Sequence, residues 1–344
     1  MTTPHKHAFD PAIPSRRDLL RAAGAFALGS GFAGLSCAET PAPSAHAWPD
    51  KPVRIVIAGP AGGSPDLVAR ALSDQLTRMT KHPFIVDAKP GGAGVIAINE
   101  LLQAPVDPYT LLLGVSSLVS EIPHIVKMRY DTRKAIVPLV ELARGGLVLV
   151  AAPNLAVKNV KDVIALSKAD KDGLSYASYS PGTMSHVAGI LLNQTTGARL
   201  AHVAYKGSTA GLNDVMGGHV PLMFDGLATS LPFIRSGKLK ALGITSPQRS
   251  QLLPDVPTFA EQGLPQLSYT GWLGLWANSA LPAEKQQTIR DVVRKATDTA
   301  EFKSVLINAG FEPGTHREPQ ALRAELLSDY DRVGAVLKGM DIKL

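Results

Sequence analysis

Two short runs, Gly59-Pro60-Ala61-Gly62-Gly63-Ser64-Pro65 and Lys89-Pro90-Gly91-Gly92-Ala93-Gly94, carry the chemistry most readily read from this chain. Each follows a short apolar stretch and precedes a segment with helical spacing. Glycine lets the backbone turn sharply and approach a ligand closely, and the helix behind it presents N–H groups with no partner of their own. Together with the positive end of the helix dipole, such groups hold an anion without any cationic side chain. Two runs of this kind in one βαβ-like stretch point to a cleft that grips a small acid. Taken singly, either run also reads as an ordinary tight βα turn.

Other polar clusters are weaker. Ser178 to His186 is rich in hydroxyls at a strand-to-helix junction, so Ser180, Thr183 and Ser185, with His186, read equally as a polar-ligand cradle and as a capped helix. A Ser-His nucleophile pair is open there, Ser180 or Ser185 with His186, although no G-x-S-x-G elbow occurs in the chain. Lys206 offers a cation from a loop, and Asp225 an acceptor at a strand end. Gly92 to Ala97 fits a dinucleotide-binding pattern but lacks the acidic residue that would hold a ribose, so no NAD-type cofactor is expected. The histidines His82, His124, His186, His202, His219 and His316 show no metal-ligand spacing, and no metal is expected either.

The amino terminus adds a second signal. Ser15-Arg16-Arg17-Asp18-Leu19-Leu20-Arg21 sets a twin arginine before the apolar run Ala22 to Leu35, which is too short to span a bilayer. Ala45-His46-Ala47 supplies small residues for a signal peptidase, so residues 1–47 read as a cleaved twin-arginine export signal and the mature chain as starting at Trp48. The single cysteine, Cys37, leaves open the alternative of lipoprotein anchoring, but Gly34 stands where a large aliphatic residue belongs. After cleavage no thiol remains, so no disulfide forms in the exported chain. The net charge of the full sequence is +6. It is spread without basic blocks or interleaved aromatics, which argues against a nucleic-acid partner.

The elements that must position these loops follow from periodicity. Val53 to Ala58, Phe84 to Val86 and Tyr109 to Gly114 read as buried strands, and helical spacing runs from Leu67 to Met79 and from Val95 to Leu102. Strand, loop and helix in alternation imply a parallel sheet whose ligand sits beyond the carboxyl ends of the strands. A second unit begins at Leu147. It holds strands at 174–177, 200–204, 220–224 and 239–245, with helices at 160–168, 185–194 and 212–217. Pro254 to Pro257 should open a short helix that ends at Gly263. Leu273 to Ala277 returns as a strand, and helices over 283–299 and 319–338 complete the chain.

Taken in order, further stretches resemble one family. They are Trp48 to Arg54, the Pro-x-Gly-Gly-x-x-Asp loop from Pro60 to Asp66, Pro90 to Gly94, Asp107 to Leu112, His202 to Gly207, Leu222 to Asp225 and Leu253 to Thr258. Together they resemble the Bug family of periplasmic solute receptors, related to the tricarboxylate-binding TctC proteins, over essentially all of 48–344. The resemblance implies an α/β fold of the type II periplasmic-binding-protein kind, with 48–145 and 270–344 as one lobe and 146–269 as the other. It implies a non-enzymatic, monomeric receptor in the periplasm. The ligand would be a small organic acid (a di- or tricarboxylate, an amino acid or an aromatic acid), delivered to membrane transporter subunits or a sensor. Matched residue by residue, the ligand loops are Ala61, Gly62, Gly63 and Ser64, and Gly91, Gly92, Ala93 and Gly94. Ser116, Ser117, Ser180, Thr183, Ser185, His186 and Asp225 fall where related receptors line the cleft. Two departures stand out. Val95 replaces an amide side chain common in the second loop, and Ser64-Pro65 removes an N–H where Gly-Thr is more usual.

Overall fold

The computed structural model describes residues 48–338, so the export signal and Cys37 lie outside the described residues. The first elements are β1 (Val53–Ile57), α1 (Ser64–Thr80), β2 (Phe84–Ala88), α2 (Val95–Gln103) and β3 (Thr110–Val115). Short helices α3 (Ser117–Ser120), α4 (Ile122–Ile125) and α5 (Thr132–Ala135) lead into the long strand β4 (Ile136–Gly145). Then come β5 (Leu147–Ala151), α6 (Val160–Ala169), β6 (Leu174–Ser178), α7 (Met184–Thr196), β7 (Leu200–Ala204), α8 (Ser208–Met216), β8 (Leu222–Gly226), α9 (Leu227–Arg235) and β9 (Lys240–Ile244). The chain closes with β10 (Gly271–Asn278), α10 (Ala283–Thr297), α11 (Ala300–Asn308), β11 (Glu312–Pro313) and α12 (Pro319–Leu337).

The strands form two sheets, in the orders β11-β4-β10-β3-β1-β2 and β7-β6-β8-β5-β9. β1 pairs in parallel with both β2 and β3, and β6 with both β7 and β8, whereas β10 and β5 run antiparallel to their neighbours. Helices cover both faces of each sheet, and the strand residues alternate between the two layers. Val53, Ile55 and Ile57 enter one apolar cluster and Val56 the opposite one. Leu147, Leu149 and Ala151 face one layer of the second sheet, Val148 and Val150 the other. Strands buried on both faces read as continuous apolar runs, and each such Val, Ile or Leu contributes about 1.5–3 kcal/mol on burial.

The chain passes between the sheets at Gly145-Gly146 and again just before Gly271. A Cβ at Gly146 would lie 2.4 Å from Ser246 Oγ and 2.6 Å from its backbone nitrogen, so only glycine fits this crossing. Beside it, Arg144 donates to Glu141 (2.7 Å) and to Glu325 of α12 (2.9 Å), and Arg317 donates to Glu141 (3.0 Å) and pairs with Glu325 (2.5 Å). The helix α12 itself serves both sheets. Its Leu322 and Leu326 join a cluster of the first, and its Val333 and Leu337 a cluster of the second.

Four differences from the sequence reading have clear causes. The reading passed over β4 because Pro138, Glu141 and Arg144 interrupt its β pattern. Since β11 pairs only with Ala143 and Arg144, Pro138 lies on an edge where its missing N–H does no harm. The Pro232 inside α9 hid that helix. The helix expected over 283–299 ends at Thr297, because the Thr299 side chain accepts from Phe302 N and starts α11. The helix expected after Pro257 does not form. Thr258 and Glu261 exchange the two bonds of a capping box, yet turns follow, and Gln262 is bonded instead to Leu242 O of β9.

Candidate functional site

A cavity of about 440 Å³ lies between the two sheets. It is bounded by the loops at the carboxyl ends of β1, β2 and β3 on one side and of β6, β7 and β8 on the other. The Gly145-Gly146 crossing and the start of β10 close its back. This is where ligands collect in parallel α/β sheets. The two walls also touch. A Cβ at Gly207 would lie 2.3 Å from Pro60 Cγ, and one at Gly226 would lie 3.1 Å from Ser64 Oγ.

Each glycine run has a distinct local structure. In the first, Gly62 takes φ 77°, its N–H donates to Asp66 Oδ2 (3.0 Å), and Gly63 N–H donates to Pro60 O (3.3 Å). The second is a left-handed turn in which Gly91, Gly92, Ala93 and Gly94 all have positive φ (101°, 57°, 51° and 86°). Three glycines make that run feasible, and Ala93 bears the one residual penalty, roughly 1–2 kcal/mol. The Gly94 N–H closes this turn onto Gly91 O (3.1 Å). The amides of Gly62, Gly63 and Gly94, expected from the sequence to face a ligand, are therefore spent on shaping the loops. Among the described residues, the amides of Ser64, Gly92 and Ala93 have no protein partner.

Six helices begin at this cavity, and none is capped by the side chain of the residue before it, although Ser117 Oγ accepts from the first amide of α7, Met184 N–H (3.4 Å). The residues before α1, α2, α3, α7, α8 and α9 are Gly63, Gly94, Ser116, Thr183, Gly207 and Gly226, and each lacks a side-chain cap. Thr183 could cap α7, but its hydroxyl donates backwards to Ser180 O (2.7 Å). Helix N-termini left open in this way form a positive field inside a partly closed space. Among the described lining residues there is no Asp, Glu, Arg or His, and one cation, the exposed Lys206.

Of the residues singled out from the sequence, Gly63, Ser64, Gly91, Gly92, Ala93, Gly94, Ser116, Ser117, Ser180 and Thr183 line the cavity. Ala61 and Gly62 belong to the first loop but stand outside the lining. Ser185, His186 and Asp225 lie behind the wall, which corrects their expected exposure to a ligand. The Ser185 hydroxyl donates to Phe224 O. His186 Nδ1 accepts from Gly182 N–H (3.1 Å), and its ring stacks on His202 at 3.7 Å. Burial, and in second place His202, pushes the His186 pKa down to about 3; burial likewise pushes His202 down to about 4. No serine hydroxyl bonds to His186, so the nucleophile pair weighed from sequence is not assembled. Asp225 is fully buried and accepts from Ser208 (2.6 Å), Thr229 (2.5 Å) and Ser230 (2.7 Å). Burial raises its pKa, partly offset by these hydroxyls.

Sequence reasoning missed the apolar wall, made of Leu118, Ile122, Val126, Met184, Trp272 and Phe311. These residues come from four separated segments, and no local signal marks them. Gly207 and Gly226 were findable, since both follow a strand and open a helix as the first loop does.

The family described as tripartite tricarboxylate transporter family receptor, TctC, matches residues 68–342. This chain belongs to it. The receptor is 30% identical over 298 residues to a UPF0065 protein of Bordetella bronchiseptica, covering 86% of this chain and 88% of that one. The structure of the periplasmic binding protein BugD superposes with a TM-score of 0.79 at 27% identity, over 85% of this chain and 98% of that one. R. palustris Rpa4515, solved with adipate, gives 0.80 at 28% identity, over 85% and 97%. The receptor thus has the α/β fold of these periplasmic solute-binding proteins, and its family is one of receptors rather than enzymes. Among its described residues no helix is long and apolar enough to cross a membrane, and no cluster of His, Cys, Asp and Glu could hold a metal ion.

Proposed function

We propose that the exported chain is a periplasmic receptor that closes two lobes, 48–145 with 270–344 and 146–269, on a small carboxylate. It then presents that acid to the membrane subunits of a tripartite transporter, or to a sensor. One observation carries the reading. Uncapped helix N-termini from both sheets meet at a single cavity that no acidic side chain lines. The amides of Ser64, Gly92 and Ala93, with hydroxyls such as Ser180, are the donors for the carboxylate. Three or four charge-assisted hydrogen bonds contribute roughly 1.5–3 kcal/mol each. Ordering and lost ligand freedom offset at least about 4 kcal/mol of that sum. The remainder, with contacts from the opposite lobe, is compatible with micromolar binding, about −8 kcal/mol. Hinge motion at Gly145-Gly146 and Tyr269 to Gly271 lets the acid in and out. The adipate-bound relative supports the ligand class, and BugD the compartment.

The test is calorimetry on the chain from Trp48 onward, unfolded and refolded to strip carried-over ligand. It is titrated with aliphatic, aromatic, hydroxy- and amino acids. At least one carboxylate should bind saturably, and its uncharged amide should not. If no carboxylate binds, or the amide binds equally well, the reading fails.

A further inference from the structure

The cavity's own inventory of charge and hydrocarbon narrows the acid. Its volume, about 440 Å³, falls within the range of about 300–1,000 Å³ found for ligand pockets and leaves room for a body larger than a carboxylate alone. The glycine loops lie towards one wall. Leu118, Ile122 and Trp272 belong to the apolar cluster behind the first sheet, with Val126 packed against it, and all four reach the cavity surface. Met184 and Phe311 extend that apolar surface. A hydroxylated or multiply charged ligand would leave its polar groups unpaired against this wall, at a cost.

The charges point the same way. Lys206 is the only lining cation among the described residues, and it is exposed, so a second or third carboxylate lying against the apolar wall would meet no cationic side chain of that wall. An α-ammonium group fares no better, because no carboxylate among the described residues lines the cavity. Behind the wall, Asp225 accepts from three hydroxyls, Asp66 Oδ2 holds Gly62 N–H and Arg70 while its buried Oδ1 has no partner, Glu121 accepts from Ser120, and Glu141 is held by Arg144 and Arg317.

Resting on the receptor reading above, we propose that the ligand is a monocarboxylate with a bulky hydrocarbon body, an aromatic acid being the simplest case, and neither a tricarboxylate nor an amino acid. The carboxylate sits on the open amides of Ser64, Gly92 and Ala93, and the ring lies against the Leu118, Ile122, Val126 and Trp272 surface.

The experiment titrates the ligand-stripped chain with benzoate, phenylacetate, adipate, citrate and glutamate. One of the two aromatic acids should bind at least tenfold more tightly than each of the other three. Val126→Asn, at a half-buried position that folding tolerates, should weaken the aromatic acid at least fivefold and leave adipate within twofold. Lys206→Ala, at an exposed site, should change aromatic binding by less than threefold. Citrate, glutamate or adipate binding as tightly as the aromatic acids would overturn the inference while leaving the receptor reading intact. A tenfold loss of aromatic binding in Lys206→Ala would overturn it too. If none of the five acids binds, this inference is overturned, and the wider set of acids decides the receptor reading.

Discussion

Helices that start at the cavity and helices that start elsewhere are built differently. On the outer surface, α5, α6 and α11 begin with Asp131, Asn159 and Thr299, and each side chain accepts from an amide of the first turn. At the cavity, α1, α2, α8 and α9 begin after glycine, and α7 begins after a threonine whose hydroxyl turns away. The other uncapped starts, α4, α10 and α12, carry proline at or beside their first position, which removes a donor. A side-chain cap contributes about 0.5–2 kcal/mol. Leaving it out around the cavity gives up that local stability, which is the arrangement the proposed anion binding requires.

Buried charge follows the same division. Glu100, on the outer face, is held below the usual carboxylate range by its bond to Arg54. Burial acts to raise Glu325, but Arg144 and Arg317 more than offset it and hold its pKa below normal. Glu121, in the stretch between α3 and α4 that flanks the cavity, has no such partner. Burial pushes its pKa up to about 7, against the hydroxyls of Ser120 and Ser117, with Asp329 and Arg332 as the more distant charges facing it.

The comparison can be broken in several places. The largest effect is expected from Gly207→Val, because a Cβ there meets Pro60 Cγ at 2.3 Å and the backbone has φ 111°. The walls could not come together, and ligand affinity should fall by more than about a hundredfold, close to 2.7 kcal/mol, in calorimetry. Unchanged affinity would mean that the Pro60 contact plays no part in closure.

Glu121→Gln tests the unpaired carboxyl. In the wild type the folded state keeps this proton up to about pH 7, whereas the unfolded chain releases it near 4.5. Stability from this group is therefore complete below about pH 4.5 and lost as pH rises through about 7, by roughly 3 kcal/mol. His186 and His202, with depressed pKa values, act oppositely and lose their contribution as pH falls below about 6.5. The difference between wild-type and Glu121→Gln melting temperatures should isolate the first effect, the variant gaining on the wild type from pH 5 to pH 8. A constant difference across that range would show that Glu121 is ionised in the folded protein.

Thr183→Asp puts a carboxylate cap on a cavity-facing helix. Affinity for the acid should drop at least about tenfold, while the melting temperature of the empty protein shifts by only a few degrees. Asn159→Ala does the reverse on the outer surface. It should cost about 1 kcal/mol of stability in denaturant unfolding and leave ligand affinity unchanged. Equal effects of the two substitutions on binding would erase the distinction between the two kinds of helix start.

Much of this arrangement is written locally. The runs at 53–57, 84–88 and 110–115 are β-branched or leucine-rich and short. The glycine loops between them announce themselves by composition, because glycine takes the positive φ values found at 91, 92 and 94 at the least cost. β4 was not legible, since Pro138 and Glu141 make sense only once their edge position and the two arginine partners are in place. Ser185, His186 and Asp225 had the right residue types beside the right loops, yet helix and strand phase turn them inward to Phe224, Gly182 and three hydroxyls.

By itself, then, the amino-acid order determined the alternation of strand, glycine turn and helix, and with it the membership of a receptor family, because backbone conformation is a matter of near neighbours. Only the folded chain decided which amides stay open, which polar groups are already engaged, and that hydrocarbon from four distant segments lines the same cavity as those amides. Those outcomes depend on contacts between residues far apart in the chain, and such contacts exist only when both sheets are in place.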